Sequence, residues 1–238
     1  MLFRSEIEVL FTRILRSKRR MIGLSAVIGF ADKLARWMDA DLLLHERRPV
    51  ELRYGVLHEG SFKYCTHNEY AQAEERLVHV QSESSWEVLT ENVRAFAEQG
   101  ESCLIFVKAK HEARRGAELL AGRVRLPGAT AAIEALCKVE HTHTRETLLD
   151  TLSAGVAFHS ADLSREERRI VEEAFRKGTV KVLVSTSTLA VGLNLPAQNV
   201  FIASDKWQYD ARFGMPWKTP ILRAEYENMG GRAGRVGS

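Results

Sequence analysis

Short apolar runs alternate with amphipathic helical patterns along most of this sequence, and this alternation limits the possible folds more than any other feature. The apolar runs are Cys103–Val107, 155–158, 180–184 and 199–203. The helical patterns that flank them lie over 86–99, 111–121, 129–153 and 164–178. Strands that are buried on both faces read as continuous apolar runs, and parallel pairing requires a crossover helix. The sequence therefore predicts an α/β fold with a parallel sheet.

The first 44 residues show the same alternation in shorter segments. The predicted elements are an amphipathic helix over 2–18, a short strand over 21–24, a second helix that carries Phe30, Leu34 and Trp37, and an apolar run over 41–44. The stretch 55–85 is polar and rich in Glu, Ser and His, which predicts an irregular linker or an extended hairpin.

The helical pattern from residue 164 has the clearest start signal in the chain. Ser164 is a typical N-cap residue, and Glu166 and Glu167 stand in the first turn, where acidic side chains complement the helix dipole. Gly178 follows the last apolar position and is expected to end the helix.

Composition excludes several classes of protein. The 238 residues suffice for one large domain, or for one domain and part of another. No apolar run approaches the roughly twenty residues of a membrane span, so no membrane partner is predicted. Three scattered cysteines (Cys65, Cys103 and Cys137) do not indicate a disulfide framework, so a reducing, cytoplasmic location is expected. The net charge of +3 permits a polyanionic partner without requiring one.

Two arginines stand three residues apart near the end of the sequence, within Asn228–Gly237. Arg232 and Arg235 are surrounded by four glycines, and a spacing of three is close to one helical turn, so both guanidiniums could leave one face. Planar cations held in this way suit a phosphoryl group in transfer, as arginine fingers do. The alternative reading is a basic, flexible tail.

Polar or basic residues follow three of the predicted strands, where parallel sheets bind ligands. These residues are Lys108 and Lys110, His159 and Ser160, and the hydroxyls of 185–188 followed by Gly192 and Asn194. They predict one shared face for phosphate or sugar contacts. Each has a plainer alternative: solvated lysines, a hydrogen-bonded loop histidine, and a Ser/Thr-capped turn.

No metal site is predicted. Cys137, His141 and His143 have a suggestive spacing, but structural zinc needs a second pair of ligands. The sequence also has no G-x-x-x-x-G-K-[ST] phosphate loop and no Asp-Glu pair after a strand to hold magnesium.

Taken in order, these segments resemble the motifs of superfamily 2 helicases, and most closely those of the Ski-type group. Ser25-Ala26-Val27 resembles the Ser-Ala-Thr motif that couples ATP hydrolysis to strand separation, with valine in place of threonine. Arg48-Pro49-Val50 resembles the Arg-Pro-Val mark of the connector between the two RecA-like domains. Residues 104–107 with Lys110 match the motif that opens the second RecA-like domain.

The later motifs carry most of the resemblance. Residues 158–163 are similar to a Phe-His-His-Ala-Gly-Leu segment, from which Ser160 and Asp162 depart. Residues 186–196 match the motif that touches nucleic acid through its hydroxyls and ATP through its later residues. Residues 228–237 look like a Gln-Met-x-Gly-Arg-Ala-Gly-Arg-x-Gly motif, with Asn228 in place of glutamine.

The resemblance implies a RecA-like parallel sheet with helices on both faces, preceded by a partial RecA-like unit. The first RecA-like domain would end near residue 48, and 49–238 would be the second, helicase C-terminal domain. Helicase activity with ATP and Mg2+ is implied, the nucleotide being gripped mainly by the rest of the first domain, expected before residue 1. Accessory winged-helix and helical domains are expected after residue 238. The implied partner is single-stranded or forked nucleic acid, DNA rather than RNA.

The resemblance also assigns a role to each matching residue. The catalytic residues would be Arg232 and Arg235, and the coupling residues Ser25 and Ala26. ATP would contact Gly192, Asn194, Asn228, Arg232 and Arg235. Nucleic acid would contact Lys110, His159, Thr186 and Thr188.

Two other readings stay open at this point. The chain could be a non-catalytic module that binds nucleic acid or docks on a helicase, because it has no phosphate loop of its own. It could also be a shortened product whose first 44 residues expose an apolar face.

Overall fold

The computed structural model describes residues 2–16, 22–24, 31–45, 47–78, 82, 84–186, 195–208 and 217–234. The chain divides into two compact units, Met1–His45 and Glu46–Ser238. In the described ranges, every helix is too short or too polar to span a lipid bilayer.

The first unit contains two helices, α1 (Leu2–Arg16) and α2 (Ala31–Met38). They contact each other through the edge of Phe11 and the ring of Trp37, whose centroids are 6.4 Å apart. The predicted strand over 21–24 is wrong for its described residues, and the apolar run at 41–44 is not a strand either. A strand needs a neighbour for its peptide groups, and the described part of this unit offers none. Leu43 is consequently 93% exposed.

The second unit begins with an antiparallel three-stranded sheet: β1 (Arg53–His58), β2 (Ser61–Thr66) and β3 (Gln72–Arg76), in that order. Of the two alternatives predicted for 55–85, the hairpin is present as β1 and β2, and a third strand, β3, pairs with β2 in place of an irregular linker. The first turn uses Glu59 and Gly60, both with positive φ. Phe62 and Tyr64 stack on one face, 5.1 Å between centroids.

A parallel four-stranded sheet forms the core of the second unit. Its strands are β4 (Cys103–Val107), β5 (Val156–His159), β6 (Val182–Thr186) and β7 (Asn199–Ile202), in the spatial order β5-β6-β4-β7. Every residue of the three strands β4, β5 and β6 is buried, as continuous apolar runs require. The prediction of a parallel α/β fold is confirmed.

In the described part of the second unit, six helices and a strand pair accompany this sheet. They are α3 (Ser85–Glu98), α4 (Lys110–Ala121), α5 (Thr130–Leu136), α6 (Arg145–Ser153), α7 (Arg165–Arg176), β8 (Asp205–Gln208), β9 (Trp217–Pro220) and α8 (Arg223–Gly230). The predicted helices over 86–99 and 111–121 agree with α3 and α4 to within one residue. The strand predicted over 180–184 begins two residues later.

Different helices cover the two faces of the parallel sheet. Phe158 and Val184 are register partners on one face, where a side chain added to Gly116 of α4 would lie 3.5 Å from Val184. His159, the next residue of β5, points to the opposite face and meets Glu172 of α7. The crossover helices α4 and α7 therefore lie on opposite faces, as a doubly wound sheet requires.

The start of α7 is fixed by a capping box. Ser164 accepts a hydrogen bond from the Glu167 amide, and the Glu167 carboxylate accepts one from the Ser164 amide at 2.7 Å. Glu167 is fully buried and also accepts hydrogen bonds from the hydroxyls of Thr142 and Thr144. The predicted N-cap is confirmed, and its glutamate joins the loop before α6 to α7.

Candidate functional site

Polar residues follow the carboxyl ends of the parallel strands, along one edge of the sheet. Thr186 ends β6 and is the register partner of Val107, the last residue of β4. His159 ends β5 beside Ser185 of β6. Ligands of open parallel sheets bind outside this edge, among the loops that leave it. The ends of β4, β5 and β6 therefore meet at one place, as the sequence pattern indicated.

Five of the predicted site residues can be placed in the structure: Lys110, His159, Thr186, Asn228 and Arg232. The other six lie outside the described residues: Ser25, Ala26, Thr188, Gly192, Asn194 and Arg235.

Two lysines at the edge of the sheet each form an ion pair. Lys108 Nζ lies 2.5 Å from Asp205 Oδ1, at the base of the β8–β9 pair. Lys110 Nζ lies 2.6 Å from Asp162 Oδ1, and the two side chains are 54% and 40% exposed. An exposed pair of this kind is worth little free energy, so a phosphate could displace Asp162 from Lys110. Sequence analysis noted Asp162 as a departure but missed the pairing.

The imidazole of His159 is buried rather than presented at the surface. The side chain is 1% exposed, and its Nε2 lies 2.9 Å from Glu172 Oε1. Its Nδ1 has no hydrogen-bond partner among the described residues. Burial lowers the pKa of His159, and nearby Arg168 lowers it further, while Glu172 opposes the shift. His159 therefore joins the end of β5 to α7 as a neutral side chain.

The burial of His159 predicts a pH-dependent stability. The folded state has a pKa below the ordinary value of 6.5, so the unfolded state binds more protons in acid. The stability that the neutral His159 side chain contributes is fully present above about pH 6.5. It is lost as the pH falls through the pKa of the folded state. We expect His159→Asn to reduce the difference between the free energies of unfolding in urea at about pH 7.5 and about pH 5.5.

The control for this experiment is His111→Asn, since His111 is an exposed residue of α4. Its unfolding should keep the pH dependence of the unsubstituted chain. An identical pH dependence in both variants would show that His159 does not titrate on unfolding.

Arg232 lies in the turn that follows α8. Its amide donates to the Met229 carbonyl at 3.1 Å, and Met229 is buried, so the end of α8 is anchored in the core. α8 ends at Gly230, and Gly234 has a φ of +60°, outside the right-handed helical region. Arg235 lies outside the described residues, so the expectation that both guanidiniums leave one face stays a prediction. Asn228 is an exposed residue of α8.

The turn around Arg232 is bonded to the segment that follows 187–194. The Ala197 amide donates to the Arg232 carbonyl at 3.1 Å, and the Gly234 amide donates to the Ala197 carbonyl at 3.2 Å. Ala197 and Ala233 form a parallel bridge and are both buried. We call residues 231–234 the arginine loop. Ala197, which directly follows the 186–196 motif in sequence, therefore lies beside the arginine loop.

Arg48 is a further residue at this place, and sequence reasoning assigned it only to the connector. Its Nη2 donates to the Ala233 carbonyl at 2.7 Å. In the sequence, its position in the Arg-Pro-Val segment was the signal that could have identified it. In the described part of the chain, no three Cys, His, Asp or Glu side chains are grouped so that they could hold a metal ion.

Part of the chain matches a known protein family. Residues 133–237 match the family model of the helicase conserved C-terminal domain. The matched stretch begins within α5 and includes the strands β5, β6 and β7 but not β4, so it contains the ends of β5 and β6 together with Arg232.

Comparison with curated proteins gives longer matches. An ATP-dependent DNA helicase Hel308 from Pyrococcus horikoshii is 37% identical over 233 residues, which is 96% of this chain and 30% of that protein. The Hel308 proteins of Pyrococcus abyssi and Methanocella arvoryzae are 38% identical over 233 residues and 36% identical over 223 residues. The chain therefore spans about three-tenths of the length of these relatives.

Proposed function

From the match of residues 133–237 to the helicase conserved C-terminal domain, we propose that the chain supplies the second RecA-like domain of an ATP-dependent nucleic-acid helicase. One observation carries the proposal furthest. The arginine loop is hydrogen-bonded to Ala197, just after the segment 186–196 that leaves the carboxyl edge of the sheet. These hydrogen bonds would then connect the arginine that reaches phosphate to the segment that contacts nucleic acid.

Arg232 and Arg235 would reach the γ-phosphate of ATP from this side of a two-domain cleft. Guanidiniums suit the charge that spreads over the phosphoryl oxygens during transfer. Gly192, Asn194 and Asn228 would line the nucleotide beside them. ATP would arrive with Mg2+ and would be gripped mainly by a first RecA-like domain, whose C-terminal part we assign to residues 1–48.

Nucleic acid would lie along the carboxyl edge of the parallel sheet. Lys110 and Thr186 lie at this edge, at the start of α4 and the end of β6, and Thr188 follows in sequence. His159 would act by holding the end of β5 against α7, because its imidazole is buried. Ser25 and Ala26 would couple hydrolysis to movement of the strand. We favour DNA and the Ski-type group, on the motif resemblance and the names of the relatives.

The exposed apolar side chains of the first unit support the proposal that this unit is only one part of a first RecA-like domain. Ile22, Leu24 and Leu43 are almost fully exposed, although isolated apolar side chains of this size favour burial. Strands from the remainder of a first RecA-like domain would cover them. A partner or a larger chain that brings those strands would complete the sheet of the first RecA-like domain.

ATP hydrolysis by a fusion protein tests the proposal. In this fusion, the 238 residues replace the matching segment of the Pyrococcus horikoshii Hel308 protein. We expect hydrolysis that single-stranded DNA stimulates more than single-stranded RNA does. A folded fusion that binds DNA without hydrolysing ATP would favour the non-catalytic module instead.

The ion pair between Lys110 and Asp162 leads to a prediction about strand affinity. Asp162→Asn removes the carboxylate that competes with phosphate for Lys110, so the affinity for a single-stranded oligonucleotide should rise by about threefold. The slope of log affinity against log salt should steepen by about 0.7, for one additional counterion released. Fluorescence anisotropy of a labelled oligonucleotide measures both quantities.

Lys110→Gln provides the control for this prediction. In that background, Asp162→Asn should have no effect, because the lysine that it releases is gone. An equal gain in affinity in both backgrounds would show that Asp162 acts only through general charge.

A further inference from the structure

Arg48 reaches a peptide group that lies 185 residues away in sequence. Its Nη2 donates to the Ala233 carbonyl at 2.7 Å, and Arg48 is half-buried. A hydrogen bond from a guanidinium is charge-assisted and stronger than a bond between neutral groups. Arg48 therefore makes a specific contact with the arginine loop.

The backbone of Arg48 is itself held in place by Asn68, in the turn between β2 and β3. The Arg48 amide donates to Asn68 Oδ1 at 2.8 Å, and Asn68 Nδ2 donates to the Arg48 carbonyl at 3.0 Å. The Asn68 amide donates to Glu51 Oε1 at 2.9 Å, and this bond lowers the pKa of Glu51. The three-stranded sheet thus provides a fixed base from which Arg48 extends.

The peptide that Arg48 reaches is the one that joins Ala233 to Gly234. Its carbonyl accepts the Arg48 hydrogen bond, and its N–H donates to the Ala197 carbonyl at 3.2 Å. A peptide group is planar, so bonds to both of its ends fix the orientation of the whole plane. This peptide stands between Arg232 and Arg235 in the sequence.

The backbone conformation favours glycine at 234, and the same segment, 48–51, lies within van der Waals contact of this position. Gly234 has a φ of +60°, a conformation that costs other residues free energy. A side chain built there would lie 3.7 Å from Val50 Cγ1 and 3.8 Å from the Glu51 carbonyl. Residues 48–51 therefore lie against the arginine loop through the Arg48 hydrogen bond and through close approach at Gly234.

We propose that Arg48 is a positioning residue for ATP hydrolysis, which orients the Ala233–Gly234 peptide and thereby aims Arg232 and Arg235 at the phosphate. The inference rests on the proposed function. Small displacements of a group that acts only in the transition state reduce the rate strongly, while substrate binding changes little. Arg48 does not itself touch the nucleotide. It sets the geometry of the residues that do.

Amide hydrogen exchange on the 238-residue chain tests the contact. Arg48→Met keeps the length of the side chain and removes the donor. The Gly234 amide should then exchange about tenfold faster or more, because its peptide has lost a charge-assisted hydrogen bond. Arg53→Met is the matched control, since Arg53 lies on β1 and pairs with exposed Glu75. Exchange at Gly234 in this variant should match that of the unsubstituted chain.

Kinetics of the fusion protein test the functional role. Arg48→Met should lower the kcat of DNA-stimulated ATP hydrolysis by about tenfold or more, with the KM for ATP nearly unchanged. Arg48→Lys should restore part of the rate, because lysine can donate one hydrogen bond to the Ala233 carbonyl without the planar geometry. If Arg48→Met unfolds the chain, the Arg48→Lys variant carries both measurements.

The outcomes separate this inference from the proposed function. Faster exchange at Gly234 together with a lower kcat supports the positioning role. Unchanged exchange, or faster exchange with an unaltered kcat, overturns the role while leaving the helicase proposal intact. A fusion that shows no DNA-stimulated hydrolysis before any substitution overturns the proposed function, and the positioning role with it.

Discussion

Alanine in place of Arg232 or Arg235 should lower DNA-stimulated ATP hydrolysis by the fusion protein by about three decades. Removing a guanidinium leaves the charge on the transferring phosphoryl group unbalanced in the transition state. In the proposed cleft, ground-state ATP would be held mainly by the other domain. The loss should therefore fall on kcat, and the KM for ATP should change little.

The matched control for this prediction is Arg223→Ala. Arg223 lies on α8, two turns before the arginine loop, is 91% exposed and pairs with Glu227. Its removal deletes the same charge from the helix that precedes the loop, without touching the loop. Steady-state hydrolysis at saturating DNA compares the three variants. A loss in the Arg232 and Arg235 variants no larger than in Arg223→Ala would contradict the arginine-finger role.

Lysine replacement refines the same prediction. A lysine at 232 or 235 keeps the positive charge but cannot offer the planar pair of donors that a phosphoryl group accepts. We expect Arg235→Lys to recover only a minor part of the lost rate. Full recovery would mean that charge alone is required at this position.

Alanine in place of Glu167 is expected to lower the free energy of unfolding by about 3 kcal/mol, from the loss of the cap and the stranded buried donors. Glu167 is fully buried and accepts hydrogen bonds from Thr142, Thr144 and the Ser164 amide. The substitution leaves two hydroxyls and one backbone N–H without this acceptor. Urea unfolding followed by circular dichroism measures the change.

Glu173→Ala is the control for the Glu167 experiment. Glu173 lies on the same helix, is partly exposed, and pairs with Lys177 and Arg169. Surface pairs of this kind contribute little, so the control should lose only a small fraction of what Glu167→Ala loses. Equal losses in the two variants would show that burial of Glu167 does not determine its contribution.

The core of the second unit could be predicted because its signals are local. Cys103–Val107 is an unbroken apolar run, and its strand was predicted with the observed bounds. Ser164 indicated the start of α7, because serine is a preferred N-cap residue and two glutamates follow it. In both cases, the residues that determine the structure lie within a few positions of each other.

The three-stranded sheet was missed because its alternation is weak. Residues of β1 and β3 are mostly exposed, so polar side chains occupy both faces and the period of two is obscured. The run at 41–44 failed for the opposite reason. Its leucines read as a strand, but a strand also needs partners, and a local sequence does not reveal where those partners are.

Site residues were predicted by type better than by role. His159 was expected at a strand end and lies there, but burial against Glu172 makes it a support rather than a surface contact. Arg48 was assigned to a connector, whereas its guanidinium holds the arginine loop. Both roles depend on contacts between residues far apart in sequence, which no spacing rule encodes.

The most direct test of the account is the structure of the fusion protein with single-stranded DNA and a phosphoryl-transfer analogue, ADP with Mg2+ and aluminium fluoride. The measured quantity is the distance from the guanidinium nitrogens of Arg232 and Arg235 to the fluoride ligands. The account predicts separations of about 3 Å, as charge-assisted hydrogen bonds require. An ordered nucleotide with both arginines directed elsewhere would contradict it.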